Sequence, residues 1–98
     1  MDDTKTHNHI QQHADAVVRG DLNAIMSDFS EDLRPHVPQL AQALPQPVNE
    51  AHVLSVEVGA DESVATIRYS GDTEDVTIRS RWRDIDDRPL IVHAEPVV

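Results

Sequence analysis

A change of hydrophobic period halfway along the chain predicts an α+β fold, with two or three N-terminal helices packed on a four-stranded antiparallel sheet. Up to Leu44 the apolar residues recur every three to four positions, the spacing of a helix face, whereas from Val53 onward they alternate every second position, as on a half-buried strand. A proline-containing stretch, 45–50, divides the two regimes. At 98 residues the chain is expected to form one domain, with a helical half over about 5–44, a linker at 45–50 and an antiparallel sheet over 51–96.

The first helix rests on Ile10, Ala14, Val17 and Val18, which fall at i, i+4, i+7 and i+8. Gly20 is suited to end it, and Asp21 to cap the next. Leu22, Ile25, Met26, Phe29 and Leu33 then continue at helical spacing and predict a second helix along that run. A short third helix is expected over 38–44, with Pro38 in its first turn and Pro45 as its stop.

The strands follow from alternation. Leu54, Val56 and Val58 form one inward row. Ala65, Ile67 and Tyr69 form the second, Val76, Ile78, Ser80 and Trp82 the third, and Leu90, Val92 and Ala94 the fourth. Turn residues separate them at 59–62, 70–74 and 84–89. Pairing Val58 with Ser63 sets Leu54 against Ile67, and pairing Tyr69 with Val76 sets Ala65 against Ser80. Both hairpins then agree on the core side, as they must, because a slip of one residue turns every side chain over.

Composition bounds the function. The formal net charge is −10, which repels polyanions, so neither nucleic acid nor an anionic membrane surface is expected as a partner. Phe29, Tyr69 and Trp82 are the only aromatic residues, too few for stacking on bases. The absence of cysteine removes disulfides and thiolate chemistry. No apolar run approaches the roughly 18 residues of a membrane span, and the polar opening Met1-Asp2-Asp3-Thr4 does not read as a signal peptide, so a soluble cytoplasmic protein is expected.

Two stretches carry a likeness to a known superfamily. The first is Ala14-Asp15-Ala16-Val17-Val18-Arg19-Gly20-Asp21-Leu22-Asn23-Ala24-Ile25, running on to Asp28-Phe29-Ser30-Glu31-Asp32. The second is Ser80-Arg81-Trp82-Arg83 followed by Arg88-Pro89-Leu90-Ile91-Val92. With this order of elements, the chain resembles the nuclear-transport-factor-2-like superfamily, the cone-shaped cystatin-like α+β fold that includes small polyketide cyclase and ketosteroid isomerase-like domains. The resemblance implies the cone fold and a tendency to dimerise through the sheet. The tyrosine that isomerase-like members carry on the first helix has no counterpart, since Ile10, Ala14 and Val17 stand there. Where those members place a general-base carboxylate, this chain has Pro35-His36-Val37-Pro38. No catalytic residue carries over.

Three groups of residues are candidates for a site. His7, His9 and His13 cluster near the N-terminus, and His9 and His13, at i and i+4, can reach one divalent ion. With no third ligand fixed in sequence, they are read as a solvated polar helix end, with no metal and no cofactor expected. Tyr69 and Ser80 are polar groups on the core face and, with Phe29 and Trp82 as apolar walls and His36 as a neutral-range titrating group, they outline a pocket for a small apolar ligand.

The third group lies on the opposite sheet face. Arg68, Arg79, Arg81 and Arg83 are half of the chain's eight basic residues, and Val53, Val64, Ile91 and His93 share their face by the registers above. A solvated ion-paired face and an anion site are competing readings. The Val/Thr/Arg mixture without lysine favours a covered face, and hence a homodimer through Val53, Val64, Arg68, Arg79, Arg81, Ile91 and His93. The leading expectation is thus a non-enzymatic binding or dimerisation domain. The alternative is a small isomerase, cyclase or dehydratase working on an apolar metabolite.

Overall fold

The computed structural model describes residues 2–97 and has the expected α+β architecture, with helices on one face of a four-stranded antiparallel sheet. Helix α1 (Asp3–Arg19) starts at Asp2, whose carboxylate accepts the Lys5 N–H, and stops at Gly20. Gly20 has φ 71°, a left-handed conformation that costs glycine nothing, and its N–H closes onto the carbonyls of Ala16 and Val17. Asp21 caps α2 (Leu22–Ser27) by accepting the Ala24 N–H. A 3-10 turn (Arg34–His36) leads into α3 (Val37–Gln42), with Pro38 in its first turn.

Helix α2 is shorter than the apolar run 22–33 predicts. The chain leaves the helix at Asp28 because its backbone pairs with the sheet instead. The Ile91 N–H donates to the Asp28 carbonyl at 2.7 Å, and the Ser30 N–H donates to the Ile91 carbonyl at 2.9 Å, forming a parallel bridge between Phe29 and Ile91. Phe29 and Leu33 still face the core, but from an irregular segment.

The sheet runs β1 (Glu50–Val58), β2 (Glu62–Ser70), β3 (Asp75–Ile85) and β4 (Arg88–Pro96), in that spatial order. The central register is the expected one: Val58 opposes Ser63, Val56 opposes Ala65, Tyr69 opposes Val76, Ile67 opposes Ile78 and Ala65 opposes Ser80. Both edge strands depart from simple alternation. In β1, Val53 pairs with Ile67 and Ser55 with Thr66, which leaves Leu54 as the extra residue of a bulge. In β4, His93 pairs with Arg81 and Ile91 with Trp82, leaving Val92 extra.

Each bulge turns one side of its strand over. Leu54, expected in the core, is 53% exposed, and Val53, expected on the outer face, packs against the core instead. Ile91, also expected outside, is 1% exposed at the centre of the core, and Leu90 lies opposite Arg83. Two of the seven residues expected at a dimer face are therefore core residues. The gain is clear for Ile91, since burying an isoleucine side chain contributes roughly 1.5–3 kcal/mol.

The core joins Ile10 and Ala14 of α1 to Phe29, Ala65, Ile67, Tyr69, Trp82 and Ile91. Among the described residues no helix lies over the opposite sheet face, which presents Arg68, Arg79, Arg81 and His93 to solvent. Among the described residues, no helix is long and apolar enough to cross a membrane.

Candidate binding cavity and its buried histidine–aspartate cluster

A cavity of about 120 Å³ lies between the helices and the sheet. Helix α1 contributes His13 and Val17 to its wall, α2 contributes Leu22 and Ile25, and α3 contributes Leu40 and Ala41. The sheet supplies Ile67, Tyr69, Ile78, Ser80, Ile91 and Ala94, and Phe29 closes one side. Leu22, Glu95 and Pro96, all exposed, also border the space.

Of the five residues expected in a pocket, Phe29, Tyr69 and Ser80 line this cavity. Trp82 is fully buried behind them rather than in the wall, and its indole N–H donates to Ser80 Oγ at 2.9 Å. Ser80 Oγ in turn lies 3.5 Å from the Ala65 carbonyl, to which it donates, so its hydroxyl is occupied by the protein. Tyr69 is 3% exposed, and burial pushes its phenol up, which keeps it a neutral hydroxyl at any ordinary pH. Among the described residues no group hydrogen-bonds that hydroxyl. His36 sits exposed in the 3-10 turn, outside the lining, so the structure does not bring it to the cavity.

Behind the cavity wall lies a cluster that the sequence pattern does not predict. His13 is 5% exposed, not solvated, and its Nδ1 lies 2.9 Å from Asp28 Oδ2. His9 Nε2 lies 2.9 Å from the other carboxylate oxygen. Asp28 is itself 6% exposed, held between the two rings at the end of α2, with Arg88 Nη2 at 3.7 Å on its outer side. Burial alone would raise the Asp28 pKa, but hydrogen bonds from His13 and His9, with the charge of the two rings in the acid range where the carboxylate titrates, outweigh it and hold the group at about 2.

A carboxylate at that pKa only accepts, so His13 Nδ1 and His9 Nε2 carry the shared protons. Aromatic edges fix the rings: His13 meets Trp82 at 5.3 Å and Phe29 at 6.0 Å, both edge-on, and His9 meets Trp82 edge-on at 5.7 Å. His13 thus spans two environments. Its Nδ1 edge is tied to Asp28, which borders an outer cleft with His9, Ser27 and Arg88, while the residue also forms part of the apolar cavity wall.

A signal for this existed in the sequence. Ile10, His13, Ala14 and Val17 stand at i, i+3, i+4 and i+7, so His13 occupies a position of the apolar stripe, whereas His7 falls outside it and is exposed. Among the described residues no group of three His, Asp or Glu side chains converges as a metal site would, and the carboxylate acts here as a hydrogen-bond acceptor between two imidazoles.

On the outer sheet face, Val64, Arg68, Arg79, Arg81 and His93 take their expected places. Arg81 is engaged with Glu62 of the neighbouring strand through both Nε and Nη2, His93 lies 3.6 Å from Glu95, and Arg79 stands opposite Glu95. No family model, curated protein or solved structure matches the chain.

Proposed function

We propose that this protein is a small binding domain that takes a compact, mostly apolar molecule into the helix–sheet cavity, without turning it over chemically. The observation that carries the reading is the composition of the wall: aliphatic and aromatic groups surround the space, with His13 and Tyr69 among the few residues of the lining that carry polar groups. A volume of about 120 Å³ is comparable with the roughly 150 Å³ cavity that admits benzene in an engineered protein. It therefore fits a single small ring or branched chain. The order of helices and meander is consistent with kinship to the nuclear-transport-factor-2-like superfamily, and the acidic, cysteine-free composition suits a soluble cytoplasmic role.

A thermal-shift titration with benzene, toluene and indole tests the reading, since a ligand of the folded state at about 100 times its Kd adds roughly 2.7 kcal/mol of stability. The expected result is a rise in Tm that an Ala94→Leu substitution, which fills the cavity, removes. No shift with any of the three compounds rejects the proposal.

A second reading, self-association through the outer sheet face, is favoured by one observation. Val64, Thr66 and Thr77 lie among exposed Arg68 and Arg79 on a face that no helix among the described residues covers. Sedimentation at micromolar concentration decides it: a dimer that Arg68→Glu disrupts supports the reading, and a clean monomer rejects it.

A further inference from the structure

We propose that the ligand of this cavity is a neutral hydroxyl compound, a small ring of the phenol type, whose O–H donates to Nε2 of His13. The inference rests on the binding-domain reading above and names the chemistry that the site selects.

The two ring nitrogens of His13 differ in what they can do. Asp28 holds the proton of His13 on Nδ1 at 2.9 Å, so in the neutral ring Nε2 is left with a lone pair and no proton. The Asp28 carboxylate on the far edge strengthens that lone pair as an acceptor, the role a carboxylate plays behind a working imidazole. Trp82 and Phe29 fix the plane of the ring, so the acceptor is held in one direction before any ligand arrives. His13 forms part of a wall that is otherwise nearly all apolar.

Such an acceptor discriminates by what it leaves unpaired. A hydrocarbon in the cavity gives Nε2 no donor, and a buried polar atom without a partner weakens binding. A hydroxyl compound satisfies the nitrogen and its own O–H together. Anions are disfavoured, because the Asp28 carboxylate stands directly behind the ring and the chain carries a net charge of −10. Among the described residues, Glu95 is the only acidic one in the lining, and its carboxylate is turned to His93 on the outer sheet face, which leaves a cation no partner within. A neutral donor on a small apolar body is the class that remains.

Phenol and toluene, matched in shape and differing in OH against CH3, are the probes, titrated calorimetrically into the wild-type protein. In a purely apolar cavity toluene binds more tightly, since burying an unpaired hydroxyl is unfavourable. The expected result here is a phenol Kd equal to or below that of toluene. In His13→Phe, phenol should weaken at least tenfold while toluene is retained. A phenol Kd above that of toluene in the wild type overturns the inference, as does a phenol preference that survives in a folded His13→Phe variant. Should that variant not fold, the His13 Nε2 nitrogen resonance of the wild type distinguishes the same alternatives. It should move on saturation with phenol and stay in place with toluene, and an unmoved resonance with phenol refutes the assignment. Toluene binding more tightly than phenol sinks this inference alone, whereas failure of both probes sinks the binding reading itself.

Discussion

Replacing Asp28 with asparagine removes the charge between His9 and His13 while keeping the shape of the side chain. Asparagine can accept at its oxygen, but its NH2 then faces the second imidazole donor, so one of the two 2.9 Å contacts becomes donor against donor unless that ring changes tautomer. A hydrogen bond to a charged group contributes about 1.5–3 kcal/mol, and a buried donor left without a partner costs a similar amount. The pKa leads to the same size. Moving from the ordinary 3.8 to about 2 is close to two pH units, at about 1.4 kcal/mol each, or on the order of 2–3 kcal/mol in favour of the folded state. Because the folded pKa is depressed, this stabilisation is present above the unfolded value near 3.8 and is lost as the pH falls through about 2.

Asp28→Asn should therefore lower the unfolding free energy by about 2 kcal/mol at pH 7, or the Tm by roughly 8–16 °C for a chain of this size. The gap between the two proteins should close between pH 4 and pH 2. Urea denaturation of both across that range is the assay. Equal stability at pH 7, or a gap that persists unchanged at pH 2, would show that the Asp28 charge does not hold the cluster together.

Ile91→Ala should cost about 2–5 kcal/mol and Leu90→Ala less than 1, because the β4 bulge buries the first and leaves the second opposite Arg83; the reverse order in chemical denaturation would contradict the register. Ser80→Ala should cost about 1–3 kcal/mol by leaving the buried Trp82 N–H without its acceptor, whereas Tyr69→Phe, which removes a hydroxyl that no described residue bonds, should change stability by less than about 1 kcal/mol; Tm measurements on the pair check the contrast.

The centre of the sheet was legible because alternation in β2 and β3 is unbroken. Ala65, Ile67 and Tyr69 against Val76, Ile78 and Ser80 allow one phase only. The edge strands were not, since Val53-Leu54 and Leu90-Ile91-Val92 place apolar residues side by side and either phase buries one of them. The choice in β4 is made elsewhere in the chain, by the backbone bonds from Ile91 to Asp28 and Ser30, which no local pattern contains. The same bridge cuts α2 short. The cavity residues Phe29, Tyr69 and Ser80 could be read from their rows, but His13 could not be told from its solvated neighbours by composition. Its partner lies 15 positions away, and only its place in the stripe of Ile10, Ala14 and Val17 marked it as buried.

The side-chain nitrogen resonances of His13 report most directly on a cavity wall that holds an imidazole oriented by Asp28. In a long-range proton–nitrogen correlation on the neutral ring, His13 should show a single tautomer, protonated at Nδ1 and bare at Nε2. A ring protonated at Nε2, or one averaging between both forms as free histidine does, would contradict it.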